Sequence, residues 1–279
     1  MSKNINDVKE FWENNPLFSG ESKFKTGTKE FFDEHKKVYL QDVFANNFNE
    51  KKFIPILNTN ANVLDLGCGI GFWTIEILQR GNYNNINMYS ADLTQAALEN
   101  TKKRLELYNL SSNLSIQNAE NMTYNDNFFD HINCQGVIHH TPNTEKAIQE
   151  IARILKPDGT AYISVYYKNI FLRNWKSIKF IGKILSIFGA KLKGRGRENI
   201  FTKDDINEIT RLYDGDKNPI GKSYSKEELK NLVDKYFYID DIFLNFFPAR
   251  SLPFKIPNIL HRFLSNTMGF MIHCNLRKK

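Results

Sequence analysis

Between residues 61 and 167 short apolar runs alternate with helix-spaced apolar patterns, and no other feature of the chain restricts its fold as strongly. ANVLDLG, INMYSAD, NLSIQNAE, FFDHINCQ and GTAYISVYY read as five strands. WTIEILQR, the stretch from Thr94 to about Tyr108, and residues 144–155 read as the helices between them, with KPDG supplying the turn that ends the last. Such alternation forms βαβ units around a parallel sheet. Right-handed crossovers then put the carboxyl ends of the strands on one edge, where open α/β sheets bind ligands.

The first strand enters a glycine-rich turn, VLDLGCGIG over residues 63–71, before the first helix of this series. Glycine there lets the backbone approach a ligand and adopt dihedrals closed to other residues. A dinucleotide fingerprint, GxGxxG, needs its third glycine at position 72, where Phe72 stands. The spacing is GxGxG instead, which argues against a nicotinamide or flavin site. Asp92 ends the second strand 25 residues after Gly67, a place suited to accepting hydrogen bonds from ribose hydroxyls. Asp65 either orients the loop or accepts from a ligand ammonium. Capping of strands and turns is the other role open to both carboxylates.

Taken in order, VLDLGCGIGFWTIEIL, SADLT, NAENMTYNDNFFDHINCQGVIHHTPN and LKPDGTAYISV resemble the class I S-adenosylmethionine-dependent methyltransferases, in particular their ubiquinone/menaquinone-methyltransferase-like branch. The similarity covers roughly residues 60–167. It implies an α/β, Rossmann-like fold: a seven-stranded, mostly parallel sheet with helices on both faces, an N-terminal helical extension and a helical lid insertion. It also implies S-adenosylmethionine as cofactor, with Asp65, Gly67, Cys68, Gly69 and Gly71 around its methionine portion and Asp92 at its ribose. Leu93 would pack on the adenine, and Gln135 would lie beneath the methyl-donor region. The family's usual Asp-Ala pair at the adenine is Asn118-Ala119 here. An Asn side-chain oxygen can still accept from the adenine amino group.

Methyl transfer from a sulfonium is an in-line displacement that needs positioning and exclusion of water rather than a covalent nucleophile. An acceptor that must lose a proton needs a base. His139 and His140 directly follow the fourth strand on the ligand-binding edge, where a neutral imidazole can take that proton. A turn histidine bonded to backbone is the commoner case, and both readings stay open here.

The remaining chain divides into an N-terminal helical segment (1–59), a lid or substrate insertion (168–224), and a C-terminal helix and strand pair (225–279) completing the 60–167 core. Residues 28–49 have helical apolar spacing, whereas FWENNPLFSG before them is aromatic but irregular. Residues 170–190 suggest a helix with Arg173, Lys176, Lys179 and Lys183 on one stripe and Trp175, Ile178, Ile181, Leu185 and Phe188 on the other. It fits a lid with a solvated basic face better than peripheral membrane contact, which is its other reading. Residues 213–219 fail as a calcium loop, because Pro219 and Ser225 replace the required glycine and glutamate. They form either a loop over the acceptor or a solvated turn. Ser225 and Glu228 open a further helix with a capping box, and FYIDDIFLNFF and GFMIHCNL read as an antiparallel strand pair.

The formal charge is +7, but residues 168–197 alone hold nine Lys or Arg and no acid, so the basicity is local. That argues against a nucleic-acid coat, and the 194–197 GRGR is too short to carry an RNA claim. Cys68, Cys134 and Cys274 have no metal-ligand spacing, so no metal is expected. The polar start and the scarcity of long apolar runs suggest a cytoplasmic protein. The expected function is methyl transfer to a small or lipid-like acceptor. The alternatives are RNA or protein methylation, or a non-catalytic protein that binds S-adenosylmethionine or its product.

Overall fold

The structure is a computed structural model that describes residues 3–80, 85–187, 200–252 and 254–279. Its centre is a sheet in the order β3 (Asn113–Ile116), β2 (Asn87–Asp92), β1 (Asn62–Leu66), β4 (Phe129–Gln135), β5 (Leu155–Tyr167), β8 (Met271–Lys278), β7 (Phe237–Asn245). A two-residue strand, β6 (Ser223–Tyr224), pairs with the end of β5 and makes an eighth beyond the expected seven. β1 to β5 run parallel, while β8 is antiparallel to both of its neighbours. The reversal of strand order at β1 and β4 opens the crevice where such sheets bind ligands.

Side chains on successive strand positions face opposite layers. Leu64 and Leu66 of β1 join one buried cluster with Ile132, Ile163, and Ile148 and Ile151 of α6 (Thr144–Ile154). Val63 joins another, with Phe72, Trp73 and Ile77 of α4 (Phe72–Arg80) and Phe44 of α2 (Lys29–Phe44). Helices therefore cover both faces. Each fully buried Leu or Ile contributes about 1.5–3 kcal/mol by leaving water. α5 (Gln95–Leu107) crosses between β2 and β3, capped by the Thr94 hydroxyl.

Several local readings change. The helix read over 28–49 ends at Phe44, because Ala45 and Asn46 turn left-handed (φ 48° and 57°) and break the hydrogen-bond ladder; a short α3 (Glu50–Phe53) follows. KPDG lies inside β5 rather than before it: Asp158 takes φ 58° and the register against β4 shifts between Phe129 and His131. The helix read over 170–190 is two, α7 (Ile170–Arg173) and α8 (Trp175–Ile187), separated at Asn174. Its apolar stripe is not one buried face: Trp175 is buried, whereas Ile181 is exposed. Phe188 and residues 194–197 lie outside the described residues. Further along come α9 (Ile206–Arg211), α10 (Lys226–Val233) and α11 (Asn258–Met268). The irregular aromatic stretch near the N-terminus follows and overlaps a helix that the sequence reading missed, α1 (Ile5–Asn14).

Candidate functional site

At the end of β1, Asp65 is buried and accepts hydrogen bonds from Thr74 Oγ1 of α4 (2.6 Å) and Asn133 Nδ2 of β4 (2.7 Å). It ties three elements together beneath the glycine turn. Burial pushes its carboxyl up to about 6 against the opposing pull of those two donors.

The turn itself is held tightly. Gly67 sits at φ 74°, and a Cβ there would lie 2.2 Å from Val137 Cγ2, so only glycine fits. The amides of Gly67 and Cys68 donate to the carbonyl of Ala91 in β2 (2.7 and 3.0 Å). Two α5 side chains hold the turn from the other side: Thr101 Oγ1 donates to the Gly69 carbonyl (3.1 Å) and the buried Arg104 guanidinium to the Ile70 carbonyl (3.2 Å).

Asp92 completes this arrangement. Its Oδ2 accepts from the Gly69 amide (3.0 Å) and its Oδ1 from the amide and hydroxyl of Thr94 (3.0 and 2.9 Å). Burial raises its pKa, while the bonds from Gly69 and Thr94 pull it back.

These groups border a recess with an internal space of about 170 Å³, part of its mouth open to solvent. Gly67, Gly69, Asp92, Leu93, Asn118, Ala119, Gln135 and His140 all line it. Asp65, Cys68, Gly71 and His139 do not. Cys68 is buried, with its Sγ 3.5 Å from Thr101 Oγ1, and burial raises its thiol well above the ordinary range.

The two histidines differ sharply. His139 is fully buried, its ring 4.2 Å from that of His140 and 4.1 Å from that of Tyr166. Burial, reinforced by His140 and Lys222, holds it well below the ordinary histidine range, so it is a neutral packing group. His140 faces the recess. Its Nδ1 lies 2.7 Å from the Ile220 carbonyl, which assigns the proton of the neutral ring to Nδ1 and leaves the lone pair on Nε2. Asp214 Oδ2 is 3.6 Å from Nε2 and accepts from the Tyr166 hydroxyl (3.0 Å, and 2.8 Å to Oδ1).

Residues 213–219 are therefore packed against the histidine turn. Asn218 is buried, and Lys222 Nζ donates to the carbonyls of Thr141 (2.9 Å) and Pro142 (2.7 Å). Sequence reasoning assigned no role to Lys222, whose signal is only a lysine after a turn.

α1 forms the roof. Ile5, Val8 and Trp12, followed by Pro16 and Leu17, line the recess opposite the glycine turn. Trp12 sets its ring edge-on to His140 (5.3 Å). Glu13 reaches across to α5, its two carboxylate oxygens accepting from the amides of Gln95 and Ala96 (2.9 Å each). A signal for this helix existed: Asn4 and Asp7 make a reciprocal capping box, and the lining residues fall on one helical face.

Residues 64–163 match the methyltransferase domain family. The chain is 31% identical over 116 residues to the ubiquinone/menaquinone biosynthesis C-methyltransferase UbiE of Rickettsia prowazekii, covering 40% of this chain and 47% of that protein. It thus spans about half the length of the curated relatives it matches. Among solved structures, a chain of the Haloferax volcanii complex between the Trm112 methyltransferase activator and a methyltransferase superposes with a TM-score of 0.57 at 14% identity, covering 94% of this chain and 98% of that one. A SAM-dependent methyltransferase of Methanosarcina mazei gives 0.53 at 18% identity, covering 80% and 94%. At such identities the likeness is one of fold, and the fold is the Rossmann-like one expected.

Proposed function

From the premise that residues 64–163 belong to the methyltransferase domain family, we propose that this chain transfers a methyl group from S-adenosylmethionine to a small or lipid-like acceptor. The observation that carries the reading is the hydrogen bond joining Asp92 to the amide of Gly69 at the edge of the recess. It places a buried carboxylate and a side-chain-free stretch of backbone side by side. The backbone of the turn is also uncrowded: a Cβ added at Gly69 would meet only Leu17 Cδ2, at an ordinary contact distance of 3.9 Å.

When bound, S-adenosylmethionine supplies an electrophilic methyl group on a sulfonium centre. The chain's own groups then divide the work. Asp92 Oδ2, which accepts only from Gly69, keeps an acceptor site for a ribose hydroxyl, whereas Oδ1 is taken up by Thr94. Leu93 and Ala119 offer apolar surface to an adenine ring. Asn118 Oδ1 already accepts from the Glu120 amide (3.0 Å), which leaves one lone pair for an adenine amino group. Gln135 is oriented by donating to Asn133 Oδ1 (2.8 Å). Val8, Trp12 and Leu17 exclude water from above, which strengthens every polar contact inside.

His140 is the group that takes a proton from an acceptor requiring deprotonation. The Ile220 carbonyl fixes its tautomer, and Asp214 Oδ2 lies 3.6 Å from its Nε2. The apolar lining and the small-molecule C-methyltransferase relatives support a small or lipid-like acceptor over a macromolecule.

Titration calorimetry with S-adenosylhomocysteine tests the cofactor site without knowledge of the acceptor. We expect micromolar binding to the wild type and at least tenfold weaker binding to Asp92→Ala, about 1.4 kcal/mol. Failure of folded wild-type protein to bind would overturn the proposal.

A further inference from the structure

Two segments far apart in sequence leave the sheet at the same edge. Residues 168–222 follow the end of β5, and residues 246–270 join the end of β7 to the start of β8. The register makes these ends level: Met271 pairs with both Tyr166 and Asn245. Gln135, which lines the recess, pairs with Ser164 two residues before Tyr166, so the recess opens at this edge too. The segments also touch. Asn169 Nδ2 donates to the Met268 carbonyl (3.2 Å), and the rings of Phe171 and Phe247 lie 6.2 Å apart.

Both segments leave large apolar side chains on the surface. α11 buries His261, bonded to the Phe247 carbonyl (2.8 Å), and Ser265. It exposes Ile259 (75%) and Phe263 (60%), with Phe254 (63%) just ahead of it. α8 likewise exposes Phe180 (67%) and Ile181 while Lys179 folds back to Asp204 (2.6 Å). Water penalises such an arrangement, and contiguous apolar exposure of this kind marks an interaction face.

Charge decides what covers it. Residues 168–187 and 246–270 hold no Asp or Glu; there Arg173, Lys176, Lys183 and Lys255 are exposed, whereas Lys168, Lys179 and Arg250 pair with Glu228, Asp204 and Glu21 from outside them. A second copy would bring like charges together, whereas lipid headgroups of opposite sign attract them while the acyl region receives the apolar side chains. We infer that α8 and α11 together form an interfacial docking face for an anionic bilayer, holding the recess edge at the membrane. No described helix is long and apolar enough to cross a membrane, so the contact is peripheral. The docking stands independently of the chemistry proposed above.

Flotation of the full chain with vesicles of phosphatidylcholine, alone or with about a third phosphatidylglycerol, tests this. We expect association with the anionic vesicles at least about tenfold above the neutral ones, weakening as salt rises. Ile259→Ser/Phe263→Ser on α11 and Phe180→Ser/Ile181→Ser on α8 should each reduce it at least about fivefold. Far-ultraviolet circular dichroism and the thermal transition of each variant check that it is folded. Absence of association by the wild type, or equal association by folded variants, would overturn the inference. So would light scattering that shows a dimer dispersed by these substitutions together with no vesicle binding, which would assign the face to a second copy.

Discussion

Asp65 and Asp92 end neighbouring strands, yet burial assigns them different roles. Asp92 borders the recess; Asp65 is closed off by Thr74 and Asn133. Spacing alone left ligand binding and capping open for both, because the difference lies in which atoms cover each carboxylate. The same holds for His139 and His140, adjacent in sequence but only one of them facing the recess. Asp65 carries a pH signature. Its folded pKa, about 6, exceeds the ordinary value of 3.8, so the folded state holds the proton more tightly. The resulting stabilisation is fully present below the unfolded pKa and is lost as pH rises through about 6. Urea midpoints for wild type and Asp65→Asn across this window should show the wild type's advantage over the variant falling by on the order of 2–3 kcal/mol with rising pH. A difference that stays constant would mean that Asp65 is not the titrating group.

At the scale of elements, the strands and helices of the core were legible because each carries its own apolar period. α1 was not: it spans only ten residues, and the aromatic run continues past its end into Pro16 and Phe18, which blurs the helical spacing. The exposure of Phe180 and Ile181 on α8 was hidden for another reason, since exposure depends on neighbours the sequence does not order. α1 acts as a strap whose latch is Glu13 on the free amides of Gln95 and Ala96. Removing a side-chain cap of this kind costs about 1 kcal/mol. If that energy holds the strap over the recess, Glu13→Ala should speed dissociation of S-adenosylhomocysteine about fivefold in stopped-flow fluorescence. An unchanged dissociation rate alongside a lowered melting temperature would make the strap a scaffold rather than a gate.

For the whole molecule, the parallel sheet and the glycine turn could be anticipated because both follow from local patterns and handed crossovers. The other side of the recess could not. His140 is positioned by Ile220, 80 residues away, and by Asp214 and Lys222, all from an insertion whose course no periodicity dictates. The result is a recess roofed by the N-terminal strap over a floor built from β1, β2 and β4, with the insertion packed against His140 at its wall. If release proceeds by opening of the strap, a ligand bound only beneath the seated strap slows exchange through that opening by the factor 1 + [L]/Kd. With S-adenosylhomocysteine at about 100 times its Kd, amides of α1 exchanging through strap opening should slow by up to about 100-fold. Amides of the edge strand β7 that exchange by openings leaving the recess intact should not change. Protection confined to the glycine turn and the ends of β2 and β4, with α1 unaffected, would show that release proceeds without moving the strap.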